Sequence, residues 1–267
     1  MLRLANQIRR LIKMNNAIAL KSILTKETQR FLRIWVQTLG PPAITISLYF
    51  IIFGSLIGSR IGEMGGFDYM SFIVPGLIMM TVITNSYSNV ASSFFSAKWQ
   101  RNIEEMLVAP VPNWVIVAGY VGGGMARGIL VGLIVTLVSL LFVDIQIHNV
   151  WVIIATVSLT SATFALGGLI NAIFANSFDD ISIIPTFVLT PLTYLGGVFY
   201  SISLLPEFWQ GVSQINPIVY MVNAFRYGFL GISDVNIVAA FLVIGFFIAT
   251  LFTIAMVLIS KGIGLRS

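Results

Sequence analysis

YMSFIVPGLIMMTVITNSYSNVASSFFSA, residues 69–97, runs without a single charged side chain. At 1.5 Å per residue, a helix of this length more than crosses the roughly 30 Å of hydrocarbon in a bilayer. The run lacks the strict alternation of a membrane barrel strand, so it reads as a transmembrane helix. Its first half is apolar, whereas its second half carries Thr84, Asn85, Ser86, Ser88, Asn89, Ser92 and Ser93. Polar side chains in hydrocarbon need partners, so this second half faces other helices or a cavity.

Uncharged runs flank it on both sides: Ile34 to Ser59, Ile145 to Phe178, Ile181 to Pro206 and Val235 to Ser260. Between Trp114 and Val143 a further apolar stretch is interrupted by one charge, Arg127. With 57% hydrophobic and 9% charged residues and a mean hydropathy of +0.95, the composition lies outside that of soluble domains. The expected fold is an all-α polytopic membrane protein with six transmembrane helices, at about 37–58, 70–97, 114–142, 149–175, 181–200 and 235–260.

Basic residues set the orientation. Eight of the fifteen Lys and Arg residues precede the first span, and Lys98, Arg101, Lys261 and Arg266 follow even-numbered spans. A cytoplasmic N-terminus places these twelve inside and only Arg60 and Arg226 outside, which predicts that both termini are cytoplasmic. The pI of about 9.6 then reports topology and contact with anionic lipid rather than nucleic acid, for which no recognition motif is present. Residues 1–36 form a basic cytoplasmic region. Within it, Leu20, Leu24, Phe31 and Trp35 share one side of a helix, and Lys26, Arg30 and Arg33 another. That pattern describes an amphipathic helix in the interface plane, serving as an electrostatic anchor or as an elbow that also touches a cytoplasmic partner. No cleavable signal peptide is expected, because no continuous apolar core with a cleavage site precedes the first span. Zero cysteines and one histidine, His148 in a short outer loop, exclude disulfides, iron–sulfur clusters and ordinary zinc sites.

In the third span Gly124, Gly128 and Gly132 repeat at i, i+4 and i+8, the spacing of close helix contact. The neighbouring GGGMARG lacks the Gly-Lys-Ser/Thr ending of a phosphate-binding loop. Arg127 falls inside the bilayer unless its helix projects far into the cytoplasm, and is either a functional guanidinium or a hydrogen-bonded packing residue. Asp179 and Asp180 form a cytoplasmic turn and are expected to cap the next helix. Residues 201–231 mix apolar side chains with Glu207, Gln210, Gln214, Asn216, Asn223 and Arg226 and are too polar for an easy span. A seventh crossing would also put the basic C-terminus outside. The segment therefore reads as two short re-entrant helices broken at Asn216-Pro217, serving as an exit gate or as a lid.

Two motifs coincide with this topology. One is RNIEEMLVAPVP, residues 101–112, between the second and third spans. The other is PLTYLGGVFY, residues 191–200, followed by Leu205-Pro206, Asn216-Pro217 and Arg226. Together they resemble the type-2 ABC exporter permease family over nearly the whole chain. The resemblance implies a transmembrane domain over 37–261 and a cytoplasmic tail over 262–267. It also implies a homodimer with the substrate path at its interface, and a separate ABC-type ATP-binding protein on each cytoplasmic side of a bacterial inner membrane. It assigns the coupling helix to about 98–112. Arg101 and Glu105 would then pair at i, i+4, Ile103, Glu104, Met106 and Leu107 would meet the ATPase, and Pro110 with Pro112 would end the helix. Pro206, Asn216, Pro217 and Arg226 become candidates for an outer gate. No cofactor is expected on this chain, since ATP would bind the partner.

Two other classes compete. An ion-coupled secondary transporter of amphiphiles needs midplane carboxylates, yet all ten acidic residues fall in predicted loops or termini. An intramembrane enzyme needs a nucleophile–base pair or metal ligands within the spans, and neither is present in the sequence.

Overall fold

The computed structural model describes the backbone of residues 2–58 and 62–265, and side chains for 16–53, 58 and 62–265. The expectations resting on the side chains of Arg3, Arg9, Arg10, Lys13, Arg60 and Arg266 lie outside these residues.

Helix α1 (Leu2–Arg33) leads through Ile34 into α2 (Trp35–Tyr49), which continues as a π-helical stretch to Gly58. A two-residue hairpin follows, β1 (Glu63–Met64) against β2 (Phe67–Asp68), turned by Gly65 and Gly66 at φ of +61° and +81°. Both glycines adopt the left-handed backbone that a tight hairpin turn requires. Asp68 then caps α3 (Tyr69–Trp99), accepting from the Met70 N–H at 3.0 Å. Next come α4 (Asn102–Val108), α5 (Asn113–Ser139) and α6 (Val150–Phe174), the last capped by Asn149. The chain continues through α7 (Asp180–Ile184), a π turn at Pro185–Leu189, α8 (Thr190–Tyr194) and a 3-10 turn at Ile202–Leu204. It ends with α9 (Glu207–Ile215), α10 (Pro217–Leu230) and α11 (Ile237–Lys261).

Five helices among the described residues are long and apolar enough to cross a membrane: Trp35–Phe53, Tyr69–Trp99, Asn113–Ser139, Val150–Phe174 and Ile237–Lys261. The expected span at 181–200 is helical from Asp180 to Tyr194 only, as α7, a π turn beginning at Pro185, and α8, and it is shorter than the five helices above. The segment nevertheless runs the length of α3. At one end Lys98 Nζ donates to the carbonyls of Ile173 and Ala175, just before the segment begins. At the other the Tyr69 hydroxyl donates to the Phe199 carbonyl.

Helix α3 is the axis of the bundle. Ile73, Leu77, Met79, Val82, Ile83 and Val90 on it are fully buried, whereas α2 and α11 lie at the periphery. The glycines of α5 form two stripes rather than one. A Cβ at Gly124, Gly128 or Gly132 would meet Val90, Ser86 or Val82 of α3, which is the close contact expected from their spacing. A Cβ at Gly119, Gly122 or Gly123 would instead meet Ile23, Leu24 or Glu27 of α1.

That second stripe changes the reading of the N-terminal helix. Its inward face carries Ile23, Glu27 and Phe31, with Arg30 turned toward α3, while Trp35 begins the next helix and is 61% exposed. The bare backbone at Gly123 leaves room for a whole carboxylate side chain, so Glu27 is fully buried.

Candidate functional site

At one end of the bundle, α3 stops at Trp99 and the chain turns through Arg101, whose φ of 62° makes it the N-cap of α4. Arg101 therefore lies outside the helix, and its expected pairing with Glu105 is not formed; among the described residues the one ion pair is Arg30 with Glu27. The i, i+4 rule applies only where both residues are helical. Ile103 is buried among Phe94, Phe95, Val115 and Ile116, with Met106 and Leu107 half-buried on the same cluster. These three anchor α4 to the bundle instead of standing free for a partner's groove. The outward face consists of Arg101, Glu104, Glu105, Val108 and Pro110, with Val108 87% exposed.

Next to this face lie two exposed aromatics that the sequence did not single out, Trp99 and Phe178, with ring centroids 6.2 Å apart. Phe178 packs edge-on to Phe95 at 4.8 Å, which holds the turn between α6 and α7 against α3. Asp179 makes no capping hydrogen bond. Asp180 accepts instead from the N–H groups of Asn176 and Ser177 and from the Ser177 hydroxyl. The Asn176 N–H, followed by the Ser177 hydroxyl, holds the Asp180 carboxyl below the usual carboxylate range. With a folded value depressed in this way, the turn is fully held at neutral pH and loosens only as pH falls through that lowered value. On the other flank, Glu104, Leu107, Val108, Asn113, Ile259 and Leu265 line a groove of about 540 Å³ between α4 and the end of α11.

Lys98 ties this end together, its two bonds of 2.7 and 2.8 Å serving carbonyls at the C-terminus of α6 that have no helical partner. Lys98→Met leaves both carbonyls unpaired. The expected result is a loss of about 1–3 kcal/mol in thermal unfolding of the purified chain, and an unchanged melting temperature would contradict it.

Deeper in the bundle, Arg127 is half-buried and donates from Nη2 to Asn85 Oδ1 at 3.1 Å. Arg30 donates from Nη2 to both the carbonyl and Oδ1 of Asn89, at 2.8 Å each, and its Nε lies 3.5 Å from Glu27. The sequence put Arg30 on the basic side of an amphipathic helix and counted Glu27 with the acidic residues of loops and termini. The glycines of α5 that lie against this helix in the structure are what make room for the buried Glu27.

At the opposite end, Pro206 is the N-cap residue of α9, an exposed helix showing Phe208, Trp209 and Ile215. Asn216 separates α9 from α10 as expected. Its Oδ1 accepts from the Ile218 N–H, and its Nδ2 donates to the Leu192 carbonyl at 2.6 Å. Pro217 is the first residue of α10, where its missing N–H costs nothing. Arg226 is 1% exposed. It donates to the carbonyls of Gly197 and Phe72 and to Asn223 Oδ1, with its guanidinium 3.9 Å above the Phe72 ring.

The chain matches the family model described as ABC-2 type transporter over residues 18–230. It is 67% identical to "Inner membrane transport permease YadH" of Escherichia coli (strain K12) over 251 residues, covering 94% of this chain and 98% of that protein. It is also 24% identical over 210 residues to "Nodulation protein J" of Rhizobium leguminosarum bv. trifolii, covering 76% and 80% of the two chains. The chain thus belongs to the ABC-2 type transporter family and is a multi-pass transport permease.

Proposed function

We propose that the chain is the transmembrane subunit of an ATP-driven exporter in a bacterial inner membrane, working as a homodimer with two separate ATP-binding subunits. The observation that carries this reading is the face made by Trp99, Glu104, Glu105, Val108 and Phe178, an exposed apolar and acidic surface on the loops between spans. Exposed aromatics rimmed by charge are the composition of a docking surface. Six crossings, the fifth made by α7, the π turn and α8, put this face and both termini in the cytoplasm.

Closing the ATPase dimer would move α4, while Ile103, Met106 and Leu107 pass that movement to the ends of α3, α5 and α11. The substrate path would follow Met80, Thr84, Thr186, Thr190, Thr193 and Tyr194, which line a cavity of about 160 Å³ between α3 and the fifth crossing. Thr84, Thr186 and Thr190 are exposed on the single chain, and a second copy would cover these hydroxyls from lipid. Pro206, Asn216, Pro217 and Arg226 belong to the outer cap, where the path would end.

Purification of the chain in mild detergent should recover an ATP-binding subunit. Recovery is expected to fall about tenfold when Glu104 and Glu105 are both changed to Lys, and by a similar factor for Trp99→Ala with Phe178→Ala. Failure to recover any ATPase, even after crosslinking, would overturn the exporter reading and reopen ion-coupled transport.

A further inference from the structure

Three arginines donate to asparagines, and Arg30 and Arg127 differ sharply from Arg226. Arg226 engages all three of its guanidinium nitrogens and stacks on Phe72, as a structural cation does. Arg127 uses Nη2 alone, with Nε unpaired and Nη1 without a hydrogen-bond partner. Arg30 likewise uses Nη2 for Asn89 and leaves Nη1 without a hydrogen-bond partner, and its side chain is 32% exposed.

Asn85 and Asn89 stand one turn apart on α3, so the two guanidiniums are held at neighbouring turns of the same helix. Lys26, one turn before Arg30, adds a third cation, its Nζ 5.8 Å from the Tyr120 ring. Against these stands one carboxylate, Glu27, which is fully buried and turned toward Arg30 Nε. The cluster therefore carries an excess of positive charge with unmatched donors. Its rim consists of Ser88 and Ser92, half-buried, and Thr84, exposed.

The depth of the cluster narrows the ligand. Asp144 lies beside Ser71 and Pro75 and marks the outer boundary. About twenty residues along α3, roughly 30 Å, then reach the inner boundary a little beyond Asn89. Asn85 and Asn89, and with them Arg127 and Arg30, sit in the inner leaflet. Unmatched guanidinium donors at that depth are costly unless an anion is available to them, and a planar guanidinium edge matches a phosphate or carboxylate bidentately.

Resting on the permease reading above, we propose that Lys26, Arg30 and Arg127 form a site for the anionic headgroup, phosphate or carboxylate, of an amphiphile entering from the cytoplasmic leaflet. Asn85 and Asn89 position the two guanidiniums, and Glu27 fixes Arg30 so that one edge stays turned to the ligand. An amphiphile held here has its chain among the helices and its headgroup at the start of the polar face of α3.

The test uses the full-length chain alone, so it is independent of whether an ATPase binds. The permease is titrated with phosphatidylglycerol or phosphatidylcholine in mixed micelles. Retained lipid is counted by mass spectrometry and the melting temperature is followed. Preferential retention of phosphatidylglycerol is expected, weakened roughly tenfold by Arg127→Gln and by Arg30→Gln, with Arg33→Gln unchanged as the control. Arg127→Lys keeps the charge without the fork and is expected to fall between, so the comparison holds even where the Gln variant folds poorly. Equal retention of phosphatidylcholine, or an equal loss in Arg33→Gln, would reduce the site to general surface attraction and overturn the proposal. Inorganic phosphate should not reproduce the melting shift; a full shift with phosphate alone would assign the site to a free anion rather than an amphiphile.

Discussion

Gly168→Ala is expected to lower the melting temperature of the purified chain sharply, with no side-chain substitution on α3 restoring it. A Cβ at Gly168 would meet the Tyr87 carbonyl oxygen, with the Tyr87 carbonyl carbon at 3.1 Å and the Ala91 nitrogen at 3.2 Å. All three are backbone atoms of α3, so relief requires α3 and α6 to move apart along their shared buried face. Overpacking of this kind costs about 1–3 kcal/mol, and the upper end applies where neither helix has a side chain to rotate away. Gly128→Ala is the informative contrast. Its Cβ would meet the Ser86 hydroxyl, with Ser161 Oγ at 3.1 Å and Ser86 Cβ at 3.2 Å. Ser86 Oγ is buried without a partner, so Ser86→Ala gives up no hydrogen bond. Gly128→Ala with Ser86→Ala should therefore recover much of the stability lost by Gly128→Ala alone. The readout is thermal unfolding in one detergent, as a double-mutant cycle. Rescue of Gly168→Ala by Tyr87→Phe would show that backbone approach is not what Gly168 provides, and no rescue of Gly128→Ala by Ser86→Ala would show that the Ser86 hydroxyl is not what excludes a Cβ at Gly128.

The same glycines show where sequence reading reaches and where it stops. Gly124, Gly128 and Gly132 were legible because a single period places them on one face, and α3 lies against that face. Gly119 and Gly123 also stand at i and i+4, with Gly122 beside them, but nothing in a linear pattern says that a basic amphipathic helix is their neighbour. Amphipathic assignment puts charges in water by default. It therefore placed Arg30 with Lys26 and Arg33, although Arg30 reaches Asn89 and Glu27 is buried beneath Gly123. Four uncharged runs and the stretch carrying Arg127 correspond to the five long helices, but charge counting cannot see that the run at 181–206 stays helical only to Tyr194, with a π turn beginning at Pro185. In the loop at 98–112 the helix itself was legible from its prolines. Its polarity was not, because the left-handed Arg101 turns α4 so that Ile103 faces inward. The exposed partners, Trp99 and Phe178, are apolar residues beside long apolar runs, and only their position at a helix end distinguishes them.

Arg226→Leu is expected to be the most damaging single change in the chain. The side chain is almost fully buried and joins four segments: the first turns of α3 through the Phe72 carbonyl and ring, the turn at Gly197 through a 2.6 Å bond, Asn223 on its own helix, and the 231–236 loop at one remove. That last link runs through Asn223 Oδ1, which also accepts from the Asp234 N–H at 2.9 Å. Asp234 in turn accepts from the Ser201 hydroxyl at 2.7 Å and from the Ile202 N–H at 3.0 Å. Leucine occupies comparable space but leaves the Gly197 and Phe72 carbonyls without donors in a site that water reaches poorly. Breaking a buried charged network from one side costs about 3–5 kcal/mol, and the lost cation–π contact adds about 0.5–2 kcal/mol. Arg226→Lys keeps the charge and one donor direction, so it should lose less, whereas Phe72→Leu tests the ring alone. Hydrogen exchange locates the effect. Amides at 195–206 and 231–236 should open in Arg226→Leu, while those of α4 and the Asn176–Asp180 turn at the far end keep their wild-type rates. Unchanged melting would sink this account of Arg226 outright. Opening that spread evenly to both ends would mean that the region around Arg226 is not a separable unit, and the proposed gate, which must move without unfolding the end that carries α4, requires one that is.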